Sequence, residues 1–238
     1  MSSGDVRLVC LPHAGGSASF YHPFSRLLPS AVEMLAIQYP GRQDRRLEPC
    51  IVDLRELADR VLEELRPYIG QPLALFGHSM GATLAFEVAR RLEEQDTPPT
   101  HLFVSGRRAP SRSRHEDVHL RDDAGLIAEL AELSGTDTRL LEDEEMRRMV
   151  LPALRGDYTA AETYVYQPGP PLACPVTMIT GDADPRVDRD EAEAWEKHTT
   201  GPFELLTFPG GHFYLSDQRA EVAQAVAARL LPGLPTDH

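Results

Sequence analysis

Positive charge is what this chain has least of. Its 238 residues carry 24 Lys and Arg against 37 Asp and Glu, a formal net charge of −13. That balance argues against general binding to nucleic acid. Lysine is almost missing: Lys197 is the only one, and arginine supplies the remaining cationic side chains. Cysteine is scarce as well. Cys10, Cys50 and Cys174 are odd in number and far apart, which excludes a disulfide framework or a metal-binding spacing. They read as buried thiols in a reducing compartment. No apolar run is long enough to span a bilayer, and no early apolar segment carries a cationic flank. Neither a membrane helix nor a signal peptide is expected, and the cytoplasm is the expected compartment. There is no internal repeat and no low-complexity linker. What remains, with 42% apolar residues, suits one medium domain with a full core.

The apolar pattern alternates between strand and helix. Val6–Leu11 reads as a buried strand ending at Pro12, followed by the glycine loop His13-Ala14-Gly15-Gly16-Ser17. Val32–Tyr39 reads as a second strand, stopped by Pro40-Gly41. Leu54, Leu57, Ala58, Val61, Leu62 and Leu65 recur at helical spacing behind a capping pair, Asp53 and Glu56. Further strands are expected at Pro72–Phe76, His101–Ser105, Val176–Thr180 and Phe203–Phe208. Helices follow at Ala82–Glu94, Arg189–Lys197 (with Asp188 and Glu191 as its cap) and around Val222–Leu230. Such alternation implies a parallel sheet covered on both faces.

The stretch from Arg107 to Pro171 breaks the rhythm. It carries one helical stripe at Leu126, Ile127, Leu130 and Leu133. Met146, Met149, Val150, Ala153 and Leu154 form a second, which Pro152 should split or kink. Ordinary packing on the sheet is one reading. The favoured one is a helical lid inserted at about 107–171, since it follows the strand after the serine motif and has Arg- and Pro-rich flanks.

That motif is Gly77-His78-Ser79-Met80-Gly81, set between an apolar run and an amphipathic one. A serine with glycine two residues away on each side, between strand and helix, is the nucleophile-elbow pattern. A Cβ at either glycine would clash with the neighbouring strand or helix. Ser79 would then sit at a helix N-terminus, where the Met80 N–H can stabilise negative charge. His78 is expected to pack beneath the elbow. A serine needs a base, and in elbow folds the chain order is serine, acid, histidine. His212, in Pro209-Gly210-Gly211-His212-Phe213 just past the last strand, is the expected base. The acid should come from Gly181-Asp182-Ala183-Asp184-Pro185. Asp184, deeper in the loop and stiffened by proline, is preferred. Asp182 and, in the inserted region, Asp157 are the alternatives. The backbone N–H of Ala14 is the expected second oxyanion donor.

Taken in order, Leu11-Pro12-His13-Ala14-Gly15-Gly16-Ser17, Tyr39-Pro40-Gly41-Arg42, the Ser79 elbow, Leu151-Pro152-Ala153-Leu154-Arg155-Gly156-Asp157, the Asp184 loop and Gly210-Gly211-His212-Phe213 resemble the type II thioesterases. These are stand-alone partners of polyketide synthases and nonribosomal peptide synthetases. The resemblance runs from about Val6 to about Leu230. It implies a single α/β-hydrolase domain with a mostly parallel sheet and a helical lid. It implies hydrolysis of acyl thioesters from the phosphopantetheine arm of acyl or peptidyl carrier proteins, clearing stalled groups. Ser79 would be nucleophile, His212 base and Asp184 acid, with Ala14 and Met80 as oxyanion donors. No metal or redox cofactor is implied, and a monomer is the default.

Carrier proteins are usually acidic, so docking calls for a local basic surface. Arg42, Arg45 and Arg46 are one candidate; Arg107, Arg108, Arg112 and Arg114 are another. Competing functions on the same scaffold are an esterase or lipase, an acyltransferase or cyclase, and a non-catalytic binding protein.

Overall fold

The computed structural model describes residues 5–133 and 143–231. Six strands form one sheet in the order β2-β1-β3-β4-β5-β6, and every neighbouring pair is parallel. They are β1 Val6–Leu11, β2 Val32–Ala36, β3 Leu73–His78, β4 His101–Ser105, β5 Val176–Gly181 and β6 Phe203–Phe208. β3, β4 and β5 are buried at every residue, as strands covered on both faces must be, whereas the edge strand β6 is only half-buried.

Seven α-helices accompany the strands among the described residues: α1 His22–Ser25, α2 Leu54–Leu65, α3 Met80–Glu94, α4 Asp123–Glu132, α5 Glu144–Glu162, α6 Arg189–Glu193 and α7 Arg219–Leu230. α2 and α3 cover one face of the sheet, sharing a core with Trp195 and with Ala160 of α5. Tyr21, Phe24 of α1 and Val222, Ala223 and Val226 of α7 cover the other. Caps fix the helix starts. Asp53 accepts hydrogen bonds from the N–H groups of Arg55 and Glu56, worth about 1 kcal/mol by the usual effect of removing such a cap. Asp188 and Glu191 form a reciprocal capping box on α6.

Three local expectations are corrected. The second strand ends at Ala36, not Tyr39; Tyr39 leaves the sheet, and its hydroxyl donates to the Pro12 carbonyl at 3.0 Å. Of the two effects expected of Pro152, the split is absent: α5 runs through it from Glu144 to Glu162. Within that helix Met149 is 54% exposed; of the expected second stripe Ala153 and Leu154 are buried, joined by Leu151, which the stripe did not include. Of the three thiols, Cys10 and Cys174 are buried while Cys50 is half-buried.

Between β4 and β5 the chain adds α4 and α5, which pack on each other through Leu126, Leu130, Leu151 and Leu154. The part of the expected lid at 134–142 lies outside the described residues. The strand order reverses around β1: the chain goes to one side for β2 and the other for β3. The carboxyl ends of β1 and β3 therefore flank the crevice where open parallel sheets hold ligands.

Candidate active site

Ser79 sits in that crevice, immediately after β3 and as the N-cap of α3, with φ 55° and ψ −118°. A non-glycine residue in this region is strained, and such strain persists only where its surroundings enforce it. The enforcement is close packing. An added Cβ on Gly77 would lie 2.0 Å from the Gly81 carbonyl oxygen, and one on Gly81 would lie 2.1 Å from that of Leu11. β3, α3 and the end of β1 touch backbone to backbone, and the turn between them has one available shape. The Ser79 N–H closes it by donating to the Ser105 carbonyl at 2.8 Å.

The loops after β5 and β6 bring in two more side chains. His212 Nε2 stands 3.0 Å from Ser79 Oγ. Its Nδ1 lies 3.1 and 3.0 Å from the two carboxylate oxygens of Asp184. A carboxylate only accepts, so Nδ1–H donates to it, leaving Nε2 to accept from the Ser79 hydroxyl. Asp184 also accepts from the Arg186 N–H at 2.8 Å, which fixes its loop. The array can withdraw a proton from Ser79 and hold the resulting imidazolium beside a buried carboxylate. Of the other acids, Asp182 is an exposed turn residue accepting from the Gly210 N–H at 2.9 Å. Asp157 faces Arg42.

His78 lies beneath the elbow, fully buried. Its Nδ1 is 2.8 Å from Ser105 Oγ, which is 2.6 Å from the Tyr214 hydroxyl. Burial, then the nearby His212 and His13, hold its pKa well below the ordinary imidazole value. His13, a residue that sequence reasoning placed only in a loop, stands edge-on to Phe20 and Phe213 and lines the site. Burial, then His212 and Arg42, lower its pKa to about 3. Both rings stay neutral beside His212.

A recess of about 40 Å³ opens at Ser79, lined also by Ala14, Met80 and Phe213. α4 and α5 contribute Leu130, Tyr158, Ala161 and Glu162 to its wall. Among the described residues, neither the Ala14 nor the Met80 N–H has a hydrogen-bond acceptor. The remaining wall is charged. Glu116 pairs with Arg108 and, at 3.1 Å, with Arg186. Burial, followed by the neighbouring Arg108, pushes Arg107 down to about 10.

Arg107 and Arg108 thus belong to an internal ion cluster, and Arg108 is only 5% exposed. This corrects their reading as docking surface. Arg42 is buried too, while Arg45 is spent on Glu48 and Arg114 on Glu191. Arg46 and Arg112 remain exposed. Among the described residues, no group of three or more His, Cys, Asp or Glu side chains is placed to hold a metal ion, and no helix is long and apolar enough to cross a membrane.

A parallel sheet with an elbow serine above it and a histidine–carboxylate pair on the loops after later strands is the architecture of the α/β-hydrolases. Within that class, the chain belongs to the thioesterase family: residues 6–230 match its Thioesterase domain. It is 52% identical over 228 residues to Thioesterase PikA5 of Streptomyces venezuelae, covering 95% of this chain and 81% of that one. It is 54% identical over 227 residues to a probable cadicidin biosynthesis thioesterase of Streptomyces griseus; the match covers 95% of this chain and 63% of the relative. The solved structure of BorB, the type II thioesterase of the borrelidin biosynthetic cluster, superposes with a TM-score of 0.90 at 53% identity, covering 96% of this chain and 95% of that one.

Proposed function

We propose that this protein hydrolyses acyl groups from the phosphopantetheine arm of acyl or peptidyl carrier proteins, as an editing enzyme of polyketide or nonribosomal peptide synthesis. The observation that carries the chemistry is the unbroken contact from Ser79 through His212 to Asp184 at 3.0–3.1 Å. The family and its relatives in biosynthetic clusters support the substrate.

In this mechanism His212 takes the Ser79 proton as Oγ attacks the thioester carbon. The tetrahedral oxyanion is held by the N–H groups of Ala14 and Met80. Collapse expels the pantetheine thiol, which takes the proton back from His212. Water, activated by the same histidine, then releases the acid from acyl-Ser79. Asp184 keeps the imidazole in the required tautomer and stabilises its charge. The α4–α5 insertion acts as the lid, shielding the acyl-enzyme from bulk water. Carrier docking falls to Arg112, which stands beside a second recess that shares Arg107, Glu116, Ala161 and Glu162 with the first.

The test is free-thiol release from acyl carriers of graded chain length, with Ser79→Ala as control. Thiol release should vanish in the variant, a loss of roughly 10⁶-fold by analogy with other serine hydrolases. Near-normal turnover by Ser79→Ala would sink the mechanism. Oxygen esters cleaved faster than acyl-pantetheine thioesters of equal length would make the protein an esterase instead.

A further inference from the structure

The Ala14 N–H lies on a loop that has little support from the sheet. β1 ends at Leu11, and the chain from Pro12 to Ser17 forms no regular structure. The Tyr39 hydroxyl holds its Pro12 carbonyl, the Gly16 N–H bonds the His13 carbonyl at 2.9 Å, and the Gly15–Gly16 segment is held by two residues far away in sequence. Asp157, on α5, accepts from the Gly15 N–H through Oδ2 at 2.7 Å. Arg42, on the loop after β2, donates from Nη1 to the Gly16 carbonyl at 3.0 Å. The two side chains grip each other in a fork, Nη1 to Oδ2 at 2.5 Å and Nη2 to Oδ1 at 2.7 Å. Arg42 Nε is tied in turn to the Pro40 carbonyl at 3.2 Å. Both side chains are buried, with 8% and 2% exposure.

The geometry of the loop depends on this grip. Gly15 has φ 74°, a left-handed backbone with no side chain to anchor it. Leu154, one turn before Asp157 on α5, presses on it: a Cβ there would lie 2.6 Å from Leu154 Cδ1. The peptide plane between Ala14 and Gly15 is fixed by the Gly15 N–H bond, and that plane adjoins the residue whose N–H should meet the oxyanion. A planar guanidinium fork against a carboxylate resists rotation in a way that one hydrogen bond does not.

We propose that Arg42 and Asp157 are positioning residues for the oxyanion loop: their buried fork holds Gly15 and Gly16 so that the Ala14 N–H points at the developing oxyanion. The inference rests on the reading of Ser79 as the acyl-accepting nucleophile. It does not require that the acyl group arrive on a carrier protein.

Asp157→Asn keeps the shape and an acceptor for Gly15 but loses the charged fork. Steady-state kinetics with a p-nitrophenyl acyl ester should show kcat lower by about 10- to 100-fold, the scale of a misplacement near 1 Å, with KM within about threefold of the parent. Two inhibitors separate positioning from general damage. A trifluoromethyl ketone adds Ser79 Oγ to its carbonyl carbon, placing the resulting oxyanion in the hole. A thioether analogue of the acyl-pantetheine, lacking the carbonyl, reports ground-state binding only. Affinity for the ketone should fall in step with kcat, while affinity for the thioether stays unchanged.

Unchanged kcat in folded Asp157→Asn overturns the proposal. So does equal loss of affinity for both inhibitors, which marks a general structural role. Should Asp157→Asn fail to fold, Arg42→Lys retains the charge without the fork, and the same kcat loss and inhibitor split are required of it. Failure of the carrier-protein reading shows separately, as wild-type cleavage of the nitrophenyl ester without thiol release from acyl carriers. Failure of the nucleophile reading shows as an active Ser79→Ala.

Discussion

Two buried aspartates stand at the crevice, and they are held in opposite ways. Asp184 has 0% side-chain exposure and faces His212; Asp157 has 2% and faces Arg42. Arginine keeps its charge at every accessible pH, so the partner of Asp157 is permanently charged. Burial pushes the Asp157 carboxyl above its ordinary pKa, against the pull of Arg42 and the Gly15 N–H. Asp184 faces an imidazole that is neutral at rest in the proposed cycle and charged only while it holds the serine proton. One carboxylate braces the backbone and the other waits for a charge. Two residues of the same type, similarly buried, are suited to different work by the chemistry of a single partner.

The sharpest way to break this contrast is Asp184→Asn. The amide can hold His212 in the wrong tautomer, and kcat should fall about 10⁴-fold with little change in melting temperature. Asp182→Asn, two residues earlier on the exposed turn, should retain activity within a few-fold. Comparable losses in both variants would count against Asp184 as the acid.

At Asp157 the larger cost should appear in stability. Asn leaves the Arg42 charge buried and uncompensated, and urea unfolding should show a loss of about 3–5 kcal/mol. A loss below about 1 kcal/mol would mean that water reaches Arg42.

Acid should act on the buried histidines whose pKa is lowered. Burial is the first cause of the lowered pKa of His13, to about 3, and of His101 and His198, each to about 4. Folded pKa values below the ordinary imidazole value mean that the unfolded chain binds more protons in between. Their contribution is therefore complete above about pH 6.5 and is lost as pH falls toward about 4. Thermal melts at about pH 7.5, 6 and 5 should show a declining midpoint. A flat profile over that range would contradict the neutral state of these rings.

The smallest effect leaves both aspartates alone. Arg112→Glu should raise KM for an acyl carrier protein several-fold without changing KM for acyl-pantetheine, since rim charges mainly govern encounter. Equal shifts for both substrates would remove Arg112 from the docking surface.

Much of this arrangement was legible in the sequence, because its grammar is local. The limits of β1, β4 and β6 follow apolar runs bounded by turn residues. The Ser79 elbow carries its own glycines, and chain order pointed to Asp184 and His212 before their 28-residue separation was seen to close to 3.0 Å. What was illegible depends on distant partners. Arg107 and Arg108 look like a basic surface until Glu116 and Arg186 fold around them. Arg42 and Asp157 are 115 residues apart. Each stood in a recognisable motif, but no periodicity joins them. Tyr39 left its expected strand for the same reason: a carbonyl on another loop, at Pro12, claimed its hydroxyl.

The course of α5 has a practical consequence for anyone recombining this protein with its relatives. A helix that runs unbroken through Pro152 carries exposed Met149 in its first half, and Leu154 and Asp157, both against the Gly15 loop, in its second. A chimera that exchanges the whole insertion also replaces the side chains that meet the Gly15 loop. The seam belongs just before Leu154, so that a foreign segment is joined to the native second half of the helix.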